Sequence, residues 1–312
     1  MLRTFVFGTK LISWAFVIFV CAANATGAPL RGELRRTVDN PFGTDPWIGW
    51  GLATDGEFLF ASSARDGLIR VVDIPSLTIL GTIATPASNL RGLSYRDGIL
   101  YGVEERSVFP VERPSLFYAL DANTGTVQWT FEGPSDGFSA LSFGPDGLLY
   151  AADGYQGPGI AGTRVYGLDS RTGEILKTLK PRVVGDPPDD GDEIVGTSMM
   201  EWLPGGHLLI DFPIGNQNLN LPTIVDETLI PGPVFQVPGF SRRDSRQGAT
   251  TVGNTLYLWG FSSGTTPQLH EIEIIPEPSG WHLLVAAIGA MMPLVVTRRA
   301  VSTVVATTRT SK

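Results

Sequence analysis

The stretch FSALSFGPDGLLYAAD (residues 138–153), followed after a loop by RVYGLDSRTGEILKTL (residues 164–179), decides the fold of this chain. Pro145-Asp146-Gly147 and Ser170-Arg171-Thr172-Gly173 are turn sequences, because glycine adopts positive φ at no steric cost. Between and around these turns the stretch predicts four short strands, at Ser139–Phe143, Leu148–Ala152, Val165–Asp169 and Glu174–Leu179. A single four-stranded sheet cannot bury both of its faces, so a unit of this kind is expected to recur along the chain.

Two markers show that the unit recurs. The hairpin turn between its first two strands is found at Asp55-Gly56, Asp97-Gly98, Asp146-Gly147, Gly205-Gly206 and Gly253-Asn254. An acidic residue ends its third strand at Asp73, Asp121, Asp169, Asp226 and Glu273. Four strands per repeat of roughly 40 to 60 residues indicate a β-propeller, in which each unit is one blade. The chain is therefore predicted to be all-β.

The last unit has only three strands of its own, which are predicted at Arg246–Thr251, Thr255–Trp259 and Leu269–Ile274. The missing outer strand is found near the other end of the chain. Residues 32–38, GELRRTV, match the outer-strand sequence GEILKTL of residues 173–179 almost position for position. We therefore expect residues 32–38 to pair antiparallel with Leu269–Ile274 and to close a ring of five blades. The alternative is a ring of six blades, which would require a degenerate unit within residues 41–49.

Two blades resemble known propeller repeats. YALDANTGTVQW (residues 118–129) is similar to the repeat of quinoprotein-type propellers. GPDGLLYAAD (residues 144–153) resembles the lactonase and strictosidine-synthase-like propellers. Each resemblance covers one or two blades, and it implies the propeller fold and its turn chemistry rather than a function.

The first 25 residues have the features of a signal peptide. Arg3 and Lys10 give a positive start, Leu11–Val20 is apolar, and Ala23-Asn24-Ala25 is a cleavage sequence before Thr26. The only cysteine, Cys21, lies within this segment. The exported chain would therefore have no thiol, which excludes disulfides and thiolate catalysis.

The C-terminal part predicts a membrane segment. Pro276-Glu277-Pro278 precedes an apolar run, Trp281–Thr297, which Arg298 and Arg299 close. A helix of these 17 residues is ~26 Å long, slightly short of a ~30 Å hydrocarbon core. The two arginines would stay in the cytoplasm, with the large domain outside. The expected organisation is a signal peptide at 1–25, a propeller ectodomain at 26–275, a sorting and anchor segment at 276–299, and a short tail at 300–312.

The order Pro-Glu-Pro-Ser, Trp, apolar run, Arg-Arg resembles the C-terminus of PEP-CTERM proteins. The resemblance implies recognition by an exosortase, a membrane enzyme that processes such proteins, and then a location at the cell surface or in the extracellular matrix. It covers about the last 25 to 35 residues. The chain departs from the family pattern in its extension after the arginines, Ala300–Lys312, and in His282 and Pro293 within the apolar run. A plain membrane anchor is the alternative.

The predicted loops differ in length between the two faces of the ring. Turns after the first and third strands of each blade are short, and we call their side the turn face. Loops after the second and fourth strands are long, and we call their side the loop face. Candidate ligand-binding residues on the loop face are Glu104, Asp153, Asp211, Asn216, Arg242 and Arg243. The two arginines, with Arg246 nearby, would suit an anionic sugar or a carboxylate.

An acidic loop on the same face is a weak candidate for Ca²⁺, and we expect no other cofactor. Its carboxylates are Asp186, Asp189, Asp190, Asp192 and Glu193. The loop fails the EF-hand pattern because Thr197 stands where a bidentate carboxylate would be needed. A solvated acidic loop is the simpler interpretation.

The composition narrows the range of functions. Residues 26–297 hold 17 basic and all 31 acidic side chains, a net charge of −14, which disfavours nucleic acid as a partner. The sequence contains no HExxH, G-x-S-x-G or P-loop motif. We therefore expect a surface module that binds a polysaccharide or a protein. The alternatives are a Ca²⁺-dependent lactonase-like enzyme or another hydrolase on the same scaffold, with Glu104, Asp153, Asp211 and Asn216 converging over the axis, and a purely structural matrix protein.

Overall fold

The computed structural model describes most of the predicted propeller. The described residues are 31–43, 48–104, 106, 113–134, 137–153, 164–181, 199–210, 219–220, 223–225, 228–230, 234–235, 237, 245–261 and 266–275. They belong to one compact unit, Pro29–Ile275, and the second unit (Met1–Ala28 and Pro276–Lys312) falls outside them. All regular secondary structure in the described residues is β-strand.

The strands are numbered along the chain. They are β1 (Arg31–Asp39), β2 (Ile48–Thr54), β3 (Phe58–Ser63), β4 (Leu68–Asp73), β5 (Ile79–Ala84), β6 (Leu90–Arg96), β7 (Ile99–Glu104), β8 (Leu116–Asp121), β9 (Val127–Glu132), β10 (Phe138–Phe143), β11 (Leu149–Asp153), β12 (Val165–Leu168), β13 (Ile175–Pro181), β14 (Met200–Leu203), β15 (His207–Ile210), β16 (Leu219–Asn220), β17 (Thr223–Val225), β18 (Thr228–Ile230), β19 (Val234–Phe235), β20 (Ser245–Val252), β21 (Thr255–Phe261) and β22 (Pro267–Ile275).

These strands form five sheets, which are the blades of a propeller. Four sheets have four strands, in the orders β2-β3-β4-β5, β6-β7-β8-β9, β14-β15-β16-β19 and β1-β22-β21-β20. The remaining sheet contains β10-β11-β12-β13 and is extended by β18 and β17. Blades 1 to 5 are numbered in the order of their first strands, which are β2, β6, β10, β14 and β20. The first strands β2, β6, β10, β14 and β20 each contact the next one around the axis, and β20 contacts β2. The ring is thus closed by five blades, and no sixth blade lies between blade 5 and blade 1.

The ring is closed by pairing the N-terminal strand with the last strand of the chain. β1 is antiparallel to β22, with Glu33 opposite Glu273 and Val38 opposite Leu269. A bulge in β1 makes Arg35 the extra residue, and β13 carries the same bulge at Leu176. The two strands therefore have the same local geometry, which explains the sequence match between residues 32–38 and 173–179.

Arg36 connects this closing blade to blade 1. Its guanidinium pairs with Glu271, the Nη2 to Oε2 distance being 2.8 Å. It also donates hydrogen bonds to the carbonyls of Pro75 (3.2 Å) and Ile74 (3.5 Å) in the β4–β5 turn. Trp129 has the equivalent position on β9, and its indole N–H donates to the carbonyl of Ser170 in blade 3 at 3.0 Å. The outer strand of one blade thus holds the turn of the next.

The acids that end the third strands order these turns. Oδ1 of Asp121 accepts hydrogen bonds from the Thr124 hydroxyl and from the N–H groups of Thr124 and Asn123 at 2.9 to 3.1 Å. These bonds, first of all the one from the Thr124 hydroxyl, lower the pKa of Asp121. Asp73 and Asp169 accept equivalent bonds in blades 1 and 3. This capping explains why an acid recurs at that position.

One residue of each such turn packs against the preceding blade. Gly125 has a φ of 73°, and a Cβ on it would lie 2.4 Å from the carbonyl oxygen of Ala84 in β5. In blade 1 the equivalent position is Leu77, which keeps a positive φ of 53°. Its side chain is buried in a cluster with Phe42 and Trp259. At the junction with the closing blade, burial of the Leu77 side chain therefore offsets the strain of its left-handed backbone conformation.

Blade 4 differs from the prediction made from the spacing of acids. Its third strand is β16, whereas the segment around Asp226 supplies the β17–β18 hairpin. That hairpin joins blade 3, where Lys180 and Thr228 are parallel register partners. The prediction that Asp226 ends the third strand of blade 4 was therefore wrong. An acid after a short β-branched run is not specific enough to distinguish a blade strand from an inserted hairpin.

Gly125 provides a test of the contact between blades. Gly125→Ala should lower the free energy of unfolding by about 2 to 4 kcal/mol, because a positive φ and a clash with backbone act together. The matched control is Gly56→Ala, since Gly56 has a φ of 95° and no atom within 4 Å of the added Cβ. The control should cost about 1 kcal/mol. Urea unfolding of the full chain in detergent would measure both, and equal losses would contradict this packing.

Candidate functional site at the mouth of the axial channel

The first strands of four blades carry a register irregularity on the side of the loop face. The shifts fall between Ile48 and Leu52 in β2 and between Leu90 and Leu93 in β6. Equivalent shifts occur in β10 and β20. Each first strand runs from the loop face to its hairpin on the turn face, so the shifts surround one end of the axis. Bulges of this kind redirect side chains and are common beside functional sites.

At this level the channel is narrow because glycines let the first strands approach one another closely. A Cβ on Gly51 would lie 2.2 Å from the carbonyl oxygen of Arg91, and one on Gly248 would lie 2.6 Å from that of Gly49. The cavity lined by the five inner strands includes about 180 Å³ of space outside the atoms, part of it open to solvent, and leaves room for about one water molecule. Within the described residues, the cavity is therefore too small for a ligand larger than water.

The mouth brings an arginine onto an aromatic ring. The Cζ atom of Arg91 lies 4.3 Å from the ring centroid of Trp50, within cation–π distance. Both residues are half-buried. Trp50 and the buried Ser139 line the cavity. The hydroxyl of Ser62 donates to the carbonyls of Gly51 (3.3 Å) and Arg91 (3.1 Å). It thereby ties together the bulged backbones that carry Trp50 and Arg91.

A buried carboxylate lies further along the axis, toward the turn face. Counted from the hairpins, Glu201 occupies the position that is Ala53, Ser94, Ser142 or Thr250 in the other blades. Its Oε2 is 2.9 Å from the Ser142 hydroxyl in blade 3. Its Oε1 accepts from the N–H (3.0 Å) and hydroxyl (2.9 Å) of Thr251 in blade 5. One side chain thus connects three consecutive blades.

Burial dominates the electrostatics of Glu201. Loss of hydration raises its pKa to about 7, although the hydrogen bonds from Ser142 and Thr251 oppose the shift. No lysine, arginine or histidine among the described residues contributes to this pKa shift. The carboxyl group is therefore protonated in mildly acidic solution and becomes a buried charge in mildly basic solution.

The predicted loop-face residues fall into two groups. Glu104 is engaged within its own blade, where it accepts hydrogen bonds from the Ser88 N–H (2.9 Å), the Ser88 hydroxyl (3.2 Å) and the Tyr118 hydroxyl (2.9 Å). Burial, followed by Glu104, raises the pKa of Tyr118 to about 12. Asp153 is buried at the equivalent end of β11. The other predicted residues lie outside the described part of the chain. They are Asp211, Asn216, Arg242, Arg243, Asp186, Asp189, Asp190 and Asp192, with the signal and sorting residues Ala23, Ala25, Thr26, Pro276, Glu277, Pro278, Arg298 and Arg299.

The described residues contain neither a metal-binding cluster nor a membrane-spanning helix. Within them, no three His, Cys, Asp or Glu side chains are grouped so that they could hold a metal ion. The same residues contain no helix that is long and apolar enough to cross a membrane. His270 is buried in β22, with Nδ1 3.1 Å from the Thr37 hydroxyl of β1.

Sequence reasoning did not single out Trp50, Arg91 or Glu201. The repeats carry only a weak signal for them. Trp50 and Arg91 each precede a glycine, Gly51 or Gly92, but Trp50 lies five residues before Asp55 and Arg91 lies six before Asp97. Because the hairpins differ in length, the turn residues alone do not align these positions. Strand pairing is needed to place Glu201 where the other blades have alanine, serine or threonine.

The closed ring of four-stranded antiparallel sheets defines the class of the protein as a β-propeller. No protein-family model and no curated protein matches the chain. Among solved structures, the chain is similar to the glutaminyl cyclase of Myxococcus xanthus, with a TM-score of 0.56 and 14% identity over 80% of this chain and 100% of the cyclase. It also matches hydrazine synthase of Kuenenia stuttgartiensis, with a TM-score of 0.44 and 16% identity over 67% of this chain and 60% of that one. The WD40 propeller domain of Doa1 gives a TM-score of 0.40 and 16% identity over 74% and 80% of the two chains. At such identities the cyclase match supports the fold alone.

Glu201 predicts a pH-dependent stability. Its folded pKa is above the unfolded value of 4.5. Its stabilising contribution is therefore complete below about pH 4.5 and is lost as the pH rises through 7, a change of about 3 kcal/mol. Glu201→Gln keeps the hydrogen bonds without a charge. Its stability relative to the wild type should rise by about 3 kcal/mol between pH 5 and pH 8.5, measured by urea unfolding.

The control for this prediction is Glu57→Gln, which removes a carboxylate from an exposed turn. This variant should follow the wild type between the same two pH values. If Glu201→Gln also follows the wild type, the buried carboxylate does not determine the pH dependence.

Proposed function

We propose that the protein is an exported β-propeller that is sorted to the cell surface or the extracellular matrix and acts there by binding. Its signal peptide would be cleaved between Ala25 and Thr26. The segment 276–299 would hold it in the inner membrane until an exosortase-type enzyme processes it. The loop face would bind a polysaccharide or a protein. No nucleic acid and no obligatory cofactor are part of this proposal.

The mouth of the axial channel supports the binding role. Four first strands are bulged at the same level, and an arginine lies over a tryptophan ring there. An aromatic ring with a polar neighbour on a rigid, concave scaffold is a usual composition for a recognition site. The cavity that the described residues form below it has room for about one water molecule.

A hydrolase on this face has less support. A hydrolase of the expected kind would need Glu104 and Asp153 to converge over the axis together with loop residues. Glu104 is instead held by Ser88 and Tyr118, on the side of the strand that packs within blade 2. A general acid or base must be within hydrogen-bonding reach of the reacting atoms, and this engagement leaves Glu104 poorly placed for that role.

The binding role can be tested by blocking one face at a time, because the exported chain contains no cysteine. Pro134→Cys, in the exposed loop after β9, places a thiol on the loop face, and Asn123→Cys, in the exposed turn before β9, places one on the turn face. A large polyethylene glycol maleimide attached at either position obstructs the face that carries the modified cysteine. The loop-face adduct should abolish retention of the protein on isolated cell-surface matrix, and the turn-face adduct should not. Equal retention of both adducts would contradict a loop-face binding site.

The sorting role makes a separate prediction. Replacing Pro276, Glu277 and Pro278 by alanine should leave export and membrane insertion intact, because the apolar run and the two arginines remain. Processing should be lost, so the surface form that lacks Trp281–Lys312 should disappear. Intact mass of the surface protein from a host with an exosortase would measure this. A wild-type surface protein that keeps its tail would reduce the segment to an ordinary anchor.

A further inference from the structure

We propose that the outer edge of β5, together with a gap over Gly81, is a docking site for an extended segment of a protein partner that carries an arginine. The site lies on the rim of the ring, at the boundary between blades 1 and 2. It is separate from the loop face and goes beyond the binding role proposed above. The strands of blade 1 and the turns of blade 2 that surround it all belong to the described residues.

Two other blade boundaries show what the position of Gly81 holds elsewhere in the ring. Arg36 on β1 and Trp129 on β9 both come directly after the bulge of an outer strand. Arg36 donates to the carbonyl of Ile74, and Trp129 donates to the carbonyl of Ser170. Each acceptor directly follows the acid that ends a third strand. A long donor side chain therefore fills the space between one outer strand and the turn of the next blade.

In blade 1 this side chain is missing. Gly81 comes directly after the bulge at Leu80, and no described atom lies within 4 Å of a Cβ built on Gly81. The acceptor that corresponds to Ile74 and Ser170 is the carbonyl of Ala122, and Gly81 has no side chain that could reach it. Glycine weakens a strand, and one reason for its presence there is the close approach of another molecule.

The edge of β5 is suited to pairing with an additional strand. Within the described residues, β5 is the last strand of its sheet. Its sequence ILGTIA contains no charged residue and no proline, whereas the outer strands β1, β9 and β13 each carry charges, which protect an edge from pairing. Ile79 and Leu80 are 43% and 61% exposed. The ring itself contains a precedent, because β18 pairs with the outer strand β13 of blade 3.

The geometry and charge of the gap favour an arginine on the added strand. Neighbouring strands are about 4.8 Å apart, so a long side chain opposite Gly81 can extend over it toward blade 2. Asp73 of blade 1 and Asp121 of blade 2 end the two third strands at this boundary. Hydrogen bonds from the hydroxyls of Ser76 and Thr124 lower the pKa of Asp73 and Asp121 respectively. Both acids are therefore ionised at neutral pH and attract a cationic segment.

The probe for this site is a fluorescein-labelled peptide of alternating threonine and valine residues with one central arginine, blocked at both ends. Its binding to the full chain in detergent is measured by fluorescence anisotropy, and the matched peptide has glutamine in place of the arginine. The wild type should bind the arginine peptide saturably. The glutamine peptide should bind about ten- to hundredfold more weakly, the range for a hydrogen bond to a charged group.

Variants of the chain test whether the gap is the binding site. Gly81→Arg and Gly81→Trp copy the side chains of β1 and β9, so each should fill the gap from within and abolish binding of the peptide. The control is Gln128→Arg, at the exposed bulge of β9, which adds the same charge to an outer strand and leaves the gap open. It should bind within about twofold of the wild type. Urea unfolding checks that all three variants are folded.

The outcomes separate this inference from the proposed function. Equal binding of the two peptides, full binding by folded Gly81→Arg and Gly81→Trp, or no saturable binding by the wild type would each overturn the docking site. Concentration-dependent self-association of the wild type that Gly81→Arg abolishes would make a second copy the occupant and would overturn the partner assignment. The loop-face adduct of Pro134→Cys should leave peptide binding unchanged. Retention on matrix tests the loop-face role independently of any of these results.

Discussion

The pairing of β1 with β22 is the constraint on which the rest of the structure depends. Five sheets can bury their faces only when each has a neighbour on both sides, and the last sheet lacks an outer strand until the N-terminal segment supplies it. Arg36 then extends the closing blade onto the first one through Glu271 and the β4–β5 turn. The chain contains no cysteine after residue 21, so no disulfide can form within the propeller, and strand pairing and packing alone hold the ring closed.

Closure of the ring also fixes the geometry of the candidate site. Trp50 belongs to the first blade and Arg91 to the second, so their contact depends on how the blades are spaced around the axis. The same spacing leaves no room for a Cβ atom at Gly51 and Gly248. It also places Glu201 of blade 4 within hydrogen-bonding distance of blades 3 and 5. The site and the buried carboxylate are thus products of the ring rather than of any one blade. The close approach of the first strands is one reason why we propose recognition at the mouth.

Repeats made the fold predictable from the sequence. Turn residues and alternating strands recur wherever the backbone needs the same geometry, and the match of residues 32–38 to 173–179 reflects a shared bulge. Blade 4 was predicted less well because the β17–β18 hairpin imitates a blade strand in composition. The site was missed for a different reason. Trp50, Arg91 and Glu201 are ordinary residues in their own segments, and only the contacts across blade boundaries, such as Ser62 with Arg91, give them significance.

Cysteine pairing across the closing strands tests ring closure most directly. In a Cys21→Ser background, Glu33→Cys with Glu273→Cys joins register partners, whose Cβ atoms in an antiparallel pair are about 5 Å apart. Glu33→Cys with Glu271→Cys is the mismatched control, with a diagonal separation of about 7 Å, too long for a disulfide. The account predicts spontaneous oxidation of the first pair and not of the second, seen as a shift in mobility on non-reducing gels. Oxidation of neither pair, or of the mismatched pair alone, would contradict closure of the ring by β1 in this register.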